Sequence, residues 1–129
     1  MPIEHLDDHE MLKEKSEFMK GKRNFMVFES SLDPSTGTFW CPDCTVFDKM
    51  LATHIDKLPE DVFLYRFNVG NRKSWKDPGN PIRHGVFLNL KVTSVPSLVD
   101  IDKMELFGDV DKMDSEALAK LILSECSFT

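Results

Sequence analysis

No stretch of this 129-residue sequence approaches the roughly 18 consecutive apolar residues that a bilayer-spanning helix requires, so no transmembrane segment is predicted. The opening residues, Met1 to Asp8, are acidic and lack the apolar centre of a secretory signal, which predicts a chain that stays in the cytoplasm. Basic residues are outnumbered: 16 Lys and Arg stand against 22 Asp and Glu, for a net charge of −6 and a pI near 5.1. Only Lys20, Lys22 and Arg23 cluster, and they read as solvated helix-end charge. A surface of that sign repels phosphate backbones and anionic lipid, which argues against nucleic acid or a membrane as partner. There is no internal repeat, no low-complexity tract and no Pro-, Gly- or Ser-rich linker, so residues 1–129 read as one domain and a monomer is expected. Cysteine is scarce as well. Three cysteines in a chain expected to meet a reducing compartment do not make a disulfide framework.

The apolar residues, 41% of the chain, fall into recognisable runs. Met11/Leu12 and Phe18/Met19 recur seven residues apart among charged neighbours, which predicts a helix over residues 5–20, stopped by Gly21. Phe25-Met26-Val27-Phe28 is nearly all apolar, as a strand covered on both faces requires. Residues 30–38 read as loop, broken by Pro34 and Gly37. Cys44, Phe47, Leu51, Ile55 and Leu58 then follow at steps of three or four, with Met50 and His54 beside the same stripe. Pro42 suits the first turn of that helix, where its missing N–H costs nothing, and Pro59 ends it. Val62 to Val69 alternates like a strand; residues 70–80 are polar; residues 81–88 suit a short helix. Residues 98–101 and 103–107 read as a hairpin, and Asp114 caps a last helix carrying Leu118, Leu121, Ile122 and Cys126 on one face. This order predicts an α/β domain with a mixed central β-sheet flanked by helices on both faces. The remaining titratable residues have plain readings: His54 as packing, His5, His9 and His84 as surface, Cys126 as a buried inert thiol.

Cys41-Pro42-Asp43-Cys44 carries the chemistry. Cysteines three apart on a helix's first turn are close enough to close a small disulfide ring. Cys41 stands where backbone N–H groups and the helix dipole favour a thiolate, whereas Cys44 lies one turn inside on the apolar stripe and keeps its proton longer. That asymmetry makes Cys41 the nucleophile and Cys44 the resolving thiol in a dithiol exchange. Asp43 tunes the pair: its carboxylate stabilises the helix start but disfavours negative charge on Cys41, which makes the pair less oxidising. The competing zinc reading is poor, because C-x-x-C supplies two ligands where structural zinc takes four, and no second pair has ligand spacing.

Trp40-Cys41-Pro42-Asp43-Cys44 before an amphipathic helix resembles a thioredoxin active site with Pro-Asp between the cysteines. With Trp75-Lys76-Asp77-Pro78 and Leu90-Lys91-Val92-Thr93-Ser94-Val95-Pro96-Ser97-Leu98, it is similar to the cytosolic thioredoxin-related proteins of the WCPDC type, over about residues 25–126. The resemblance implies the thioredoxin fold, with a first strand that would have to come from residues 1–4. It implies that Pro96 is the cis-proline facing the dithiol, that Val95 offers backbone hydrogen bonds to substrate, and that Trp40 covers one side of the pair beside Pro42. The loop at residues 36–39, longer than in ordinary thioredoxin, would narrow access to Cys41 together with Trp75. No bound cofactor is implied; electrons would come from NADPH through thioredoxin reductase and pass to cystine-like small disulfides and selected protein disulfides. Ordinary thioredoxin carries a buried acid in the strand before the site; here Phe25 to Phe28 has none, and Glu29 falls at the strand's end, leaving Asp43 as a stand-in.

Two rival readings stay open. C-P-x-C also suits a glutaredoxin-like, glutathione-dependent reductase, against which stand Trp40 and acidic surroundings at Cys41. A thioredoxin-fold adaptor that uses the dithiol as a redox switch on a protein contact is the other.

Overall fold

The computed structural model describes residues 2–12, 14–54 and 60–108, together with Val110 and Ala117. Among the described residues five strands form one sheet: β1 (Ile3–Leu6), β2 (Arg23–Glu29), β3 (Val62–Asn68), β4 (Ser97–Asp100) and β5 (Glu105–Phe107), in the spatial order β1-β3-β2-β4-β5. β3 pairs in parallel with both β1 and β2, whereas β2–β4 and β4–β5 are antiparallel, so the sheet is mixed as expected. Helix α1 (Pro42–His54) follows β2, and the short helix α2 (Arg72–Lys76) follows β3.

The two faces of the sheet are sorted by residue parity. Phe25 and Val27 of β2, Val62 and Leu64 of β3 and Leu98 of β4 join Phe47 and Leu51 of α1 in one core cluster. Met26, Phe28, Tyr65, Phe67 and Val99 face the other way and pack with Leu12, Phe18, Trp75 and Ile82. Because both faces are covered, β2 is buried along nearly its whole length, which is why its sequence shows no polar alternation.

Among the described residues of the segment 5–20 the expected helix is not there. The segment holds β1 and two 3-10 turns, His9–Met11 and Lys15–Phe18. Leu12 and Phe18 are buried, but their neighbours Met11 and Met19 are exposed, so only half of the apolar pattern reaches the core. Asp8 accepts the Glu10 N–H at 3.0 Å and starts the first turn. The first strand therefore does exist, at Ile3–Leu6, with Ile3 opposite Leu64 and Leu6 opposite Phe67. Gly21 is needed for closeness rather than as a helix stop: a Cβ there would lie 2.6 Å from the Asp61 carbonyl oxygen and 2.9 Å from Phe63 Cβ.

The polar stretch 70–80 contains α2, capped by Asn71, whose side chain accepts the Ser74 N–H at 2.8 Å. The short helix expected over residues 81–88 is a 3-10 turn, Pro81–His84. The ends of the α1 stripe (Ile55, Leu58), Pro59 and the last helix with Cys126 lie outside the described residues.

Candidate functional site

α1 begins at Pro42, so Cys41 is the residue before the helix and Cys44 closes its first turn, with the Cys44 N–H bonded to the Cys41 carbonyl at 3.1 Å. Both are free thiols. Cys44 is fully buried between α1 and the end of β2, and Cys41 keeps 8% of its surface exposed. The Cys41 thiol points at the Val95 carbonyl, 3.6 Å away. Burial pushes the Cys44 thiol far above its ordinary range; the Ser30 N–H acts in the opposite sense and the adjacent Cys41 raises it further. The inner thiol is therefore held neutral.

Ser30 touches both cysteines. Its N–H donates to Cys44 Sγ at 3.4 Å, and its Oγ accepts the Cys41 N–H at 3.3 Å. The peptide bond between Val95 and the buried Pro96 is cis, and it carries the Val95 carbonyl to Cys41. Asp43 and Pro42 are exposed on the first turn of α1.

Trp40 is fixed from β3's end of the sheet. Its Nε1 donates to the Gly70 carbonyl at 2.8 Å, and Gly70 takes φ +95°, a conformation that favours glycine. Arg72 at the start of α2 stacks over the Trp40 ring at 5.1 Å and donates to the Trp40 carbonyl at 3.1 Å. An exposed guanidinium therefore lies against the residue that precedes Cys41 in the chain. The loop before Trp40 is folded back on itself: Leu32 bridges Phe39, and Asp33 accepts the Gly37 N–H at 2.8 Å.

Trp75 needs correction as a site residue. It is only 3% exposed, packs in the core cluster and carries Arg83 at 4.2 Å over its ring. It anchors α2 and offers a substrate no face.

Glu29, the acid just before Ser30, is buried and bound two ways by Arg66, at 3.0 and 2.7 Å, with Asp48 of α1 on the same guanidinium at 2.6 Å. Burial pushes the Glu29 carboxyl above its usual range against the opposing pull of Arg66. These residues line a cleft of about 670 Å³ beside α1 that also touches Ser30, Phe39 and Thr45 but neither cysteine. No group of three or more His, Cys, Asp or Glu among the described residues is arranged to hold a metal ion.

The family model described as the thioredoxin domain of thioredoxin domain-containing protein 17-like proteins matches residues 4–125. The chain belongs to that family. Its relatives include the thioredoxin-like protein Clot of Arabidopsis thaliana, 37% identical over 95 residues that make up 74% of this chain and 69% of the relative. Thioredoxin domain-containing protein 17 of Mus musculus is 34% identical over 107 residues, 82% of this chain and 81% of the relative. The human protein of that name is 40% identical over 80 residues, 61% of this chain and 60% of the relative. The chain is therefore a thioredoxin-fold redox protein, an oxidoreductase in the general sense, of a family that acts on disulfides and generally carries no bound cofactor. Among the described residues no helix is long and apolar enough to cross a membrane.

Within this thioredoxin fold the structure brings Trp40, Cys41, Cys44, Val95 and Pro96 to one place, although Val95 is 54 positions from Cys41. Ser30, Gly70 and Arg72 were not singled out from the sequence. Asn71-Arg72-Lys73-Ser74, a capping spacing inside a polar stretch, is the signal that marks α2, and Ser30 stands directly after the buried run that ends at Glu29.

Proposed function

We propose that the chain is a disulfide reductase working through the Cys41–Cys44 dithiol. The observation that carries this reading is the inequality of two adjacent thiols: Cys41 just before the helix, buried but with 8% of its surface still reachable, and Cys44 fully buried one turn on and held neutral. The Cys41 thiolate attacks one sulfur of a substrate disulfide, and the other sulfur leaves as a thiolate that takes a proton. Cys44 then loses its proton and attacks Cys41 Sγ. The Cys41–substrate bond breaks, the second substrate thiolate leaves, and the two electrons the dithiol held reside in the product thiols. Asp43 tunes the outer thiol. Trp40 and Pro42 form the floor beside it, and the Val95 carbonyl, positioned by Pro96, becomes the acceptor for a substrate amide once Cys41 is engaged.

Electrons reach the oxidised pair from NADPH through thioredoxin reductase, in the cytoplasm, and the substrates are cystine-like small disulfides and selected protein disulfides. NADPH consumption with thioredoxin reductase, this protein and cystine tests the reading, with Cys41→Ser as the blank. Turnover lost in the variant supports it. No turnover, with an oxidised pair that reductase cannot reduce, would overturn it. Arg72 gives the glutathione-dependent alternative a specific footing, since its guanidinium beside Trp40 suits a carboxylate. Reduction of the oxidised protein by glutathione alone would select that alternative.

A further inference from the structure

We propose that Ser30 is the positioning residue of the dithiol: one side chain and one amide that hold Cys41 and Cys44 in mutual register and stabilise the charge on Cys44 when it attacks. The inference rests on the reductase reading and deepens it at the resolving step.

Ser30 is 1% exposed, one residue beyond the end of β2. Its neighbours are both tied to the following strand's end. The Glu29 carbonyl accepts the Val69 N–H at 2.9 Å, and the Ser31 N–H donates to the Gly70 carbonyl at 3.1 Å. Between these anchors the Ser30 N–H is turned out of the ladder toward α1, where it meets Cys44 Sγ at 3.4 Å. The hydroxyl accepts the Cys41 N–H at 3.3 Å and donates to the Ser31 carbonyl at 3.2 Å. An unpaired buried amide is costly, so these contacts fix Cys41 relative to the sheet as well as to its helix.

The same residue has a part in the chemistry. While Cys44 is a thiol, the Ser30 hydroxyl proton rests on the Ser31 carbonyl. When Cys44 loses its proton to water and attacks Cys41 Sγ, the hydroxyl can rotate and donate to the sulfur, joining the amide already there. The substrate thiolate leaves with the bonding electron pair and takes up a proton, and the Cys41–Cys44 bond forms. Ser30 N–H and hydroxyl both act to lower the Cys44 thiol against its burial, and Cys41 is the titratable neighbour that acts on it. Glu29, next in the chain, is held by Arg66, which also holds Asp48 of α1.

The test is stopped-flow mixing of the reduced full chain, carrying Cys126→Ser, with dithiobis(nitrobenzoate), whose released thiolate is coloured. The first release reports attack by Cys41 and the second reports resolution by Cys44. In Ser30→Ala the second phase slows about tenfold at pH 7, and its pH midpoint rises by about one unit, as loss of a hydrogen bond to a charged group requires. Ser30→Thr, which keeps the hydroxyl, returns the midpoint toward wild type. Ser30→Gly is measured in parallel in case the alanine variant does not fold, and native circular dichroism is the criterion for both. A second phase that slows with no movement of its midpoint, or that does not change, overturns the inference. The assay uses neither reductase nor cystine. A wild type that releases one thiolate without the second would overturn the dithiol reading itself, whereas two phases indifferent to Ser30 overturn this inference alone.

Discussion

Replacing Arg66 by Met leaves a carboxylate buried without its cation, and the cost should depend on pH in a definite direction. The side chains of Arg66 and Glu29 are only 11% and 7% exposed, and the guanidinium contacts both Glu29 oxygens. Met fills much of the same volume, so lost packing is a minor part. Removing one partner of a buried pair typically costs about 3–5 kcal/mol, because the other charge stays desolvated. The Asp48 contact adds little, since its side chain is 41% exposed and screened by solvent. Glu29 can escape the penalty by protonation. Burial already pushes its carboxyl above the ordinary 4.5, and without Arg66 it rises further. A carboxyl raised in the fold contributes its stability below its unfolded value and loses it as the pH climbs through the folded value. Arg66→Met should therefore be destabilised by about 3 kcal/mol at pH 8 and by at least ~1 kcal/mol less at pH 5. Urea unfolding of both proteins at the two pH values measures this. Adding Glu29→Leu should recover most of the loss at pH 8. An equal deficit at both pH values, or a double variant no better than the single, would refute the buried-charge argument.

Other consequences are more local. Gly21→Ala forces a methyl against the Asp61 carbonyl and Phe63, and overpacking of this kind costs about 1–3 kcal/mol, read as a lowered thermal midpoint; an unchanged midpoint would contradict the contact. The Cys44 thiol is raised in the fold above its unfolded value of 9.0, so its share of stability is intact below that pH and lost above it. Urea midpoints between pH 8 and 10.5 should thus fall more steeply in wild type than in Cys44→Ala, and parallel declines would count against a neutral buried thiol. Asp43→Asn removes an exposed carboxylate beside the outer thiol and should speed Cys41 alkylation by iodoacetamide at pH 7 about threefold. A slower reaction would reverse the assigned role of Asp43.

What could be read from the sequence was whatever a single element determines by itself. Phe25 to Phe28 announced a strand covered on both faces, and Cys44, Phe47 and Leu51 announced the buried stripe of α1, because period and burial coincide there. The hairpin of β4 and β5 was legible for the same reason. Residues 5–20 misled because Met11 and Met19 complete a helical spacing yet face solvent, while Leu12 and Phe18 are held by tertiary contacts from short turns. β1 is a four-residue edge strand whose identity rests on its pairing with β3, which no local pattern encodes. At the site, the bond before Pro96 is cis, as the motif resemblance implied, and the Val95 carbonyl lies against the Cys41 thiol. Ser30 and Arg66 did not announce themselves, and Glu29 showed as an acid at the strand's end without showing its partner. Their partners come from β3 and α1, 14 positions away for Ser30 and 37 for Glu29, so only the sheet order brings them together. Trp75 was ambiguous for a related reason: a large aromatic in a polar stretch signals burial without saying which cluster receives it.

The central claim is that Cys41 attacks and Cys44 resolves. Mass spectrometry of Cys44→Ser and Cys41→Ser after exposure to cystine tests it most directly, in a Cys126→Ser background. The account predicts a stable half-cystine adduct on Cys41 in the Cys44→Ser protein, released by added thiol, and none in the Cys41→Ser protein. An adduct on Cys44 when Cys41 is removed, or no adduct on Cys41 when Cys44 is removed, would contradict it.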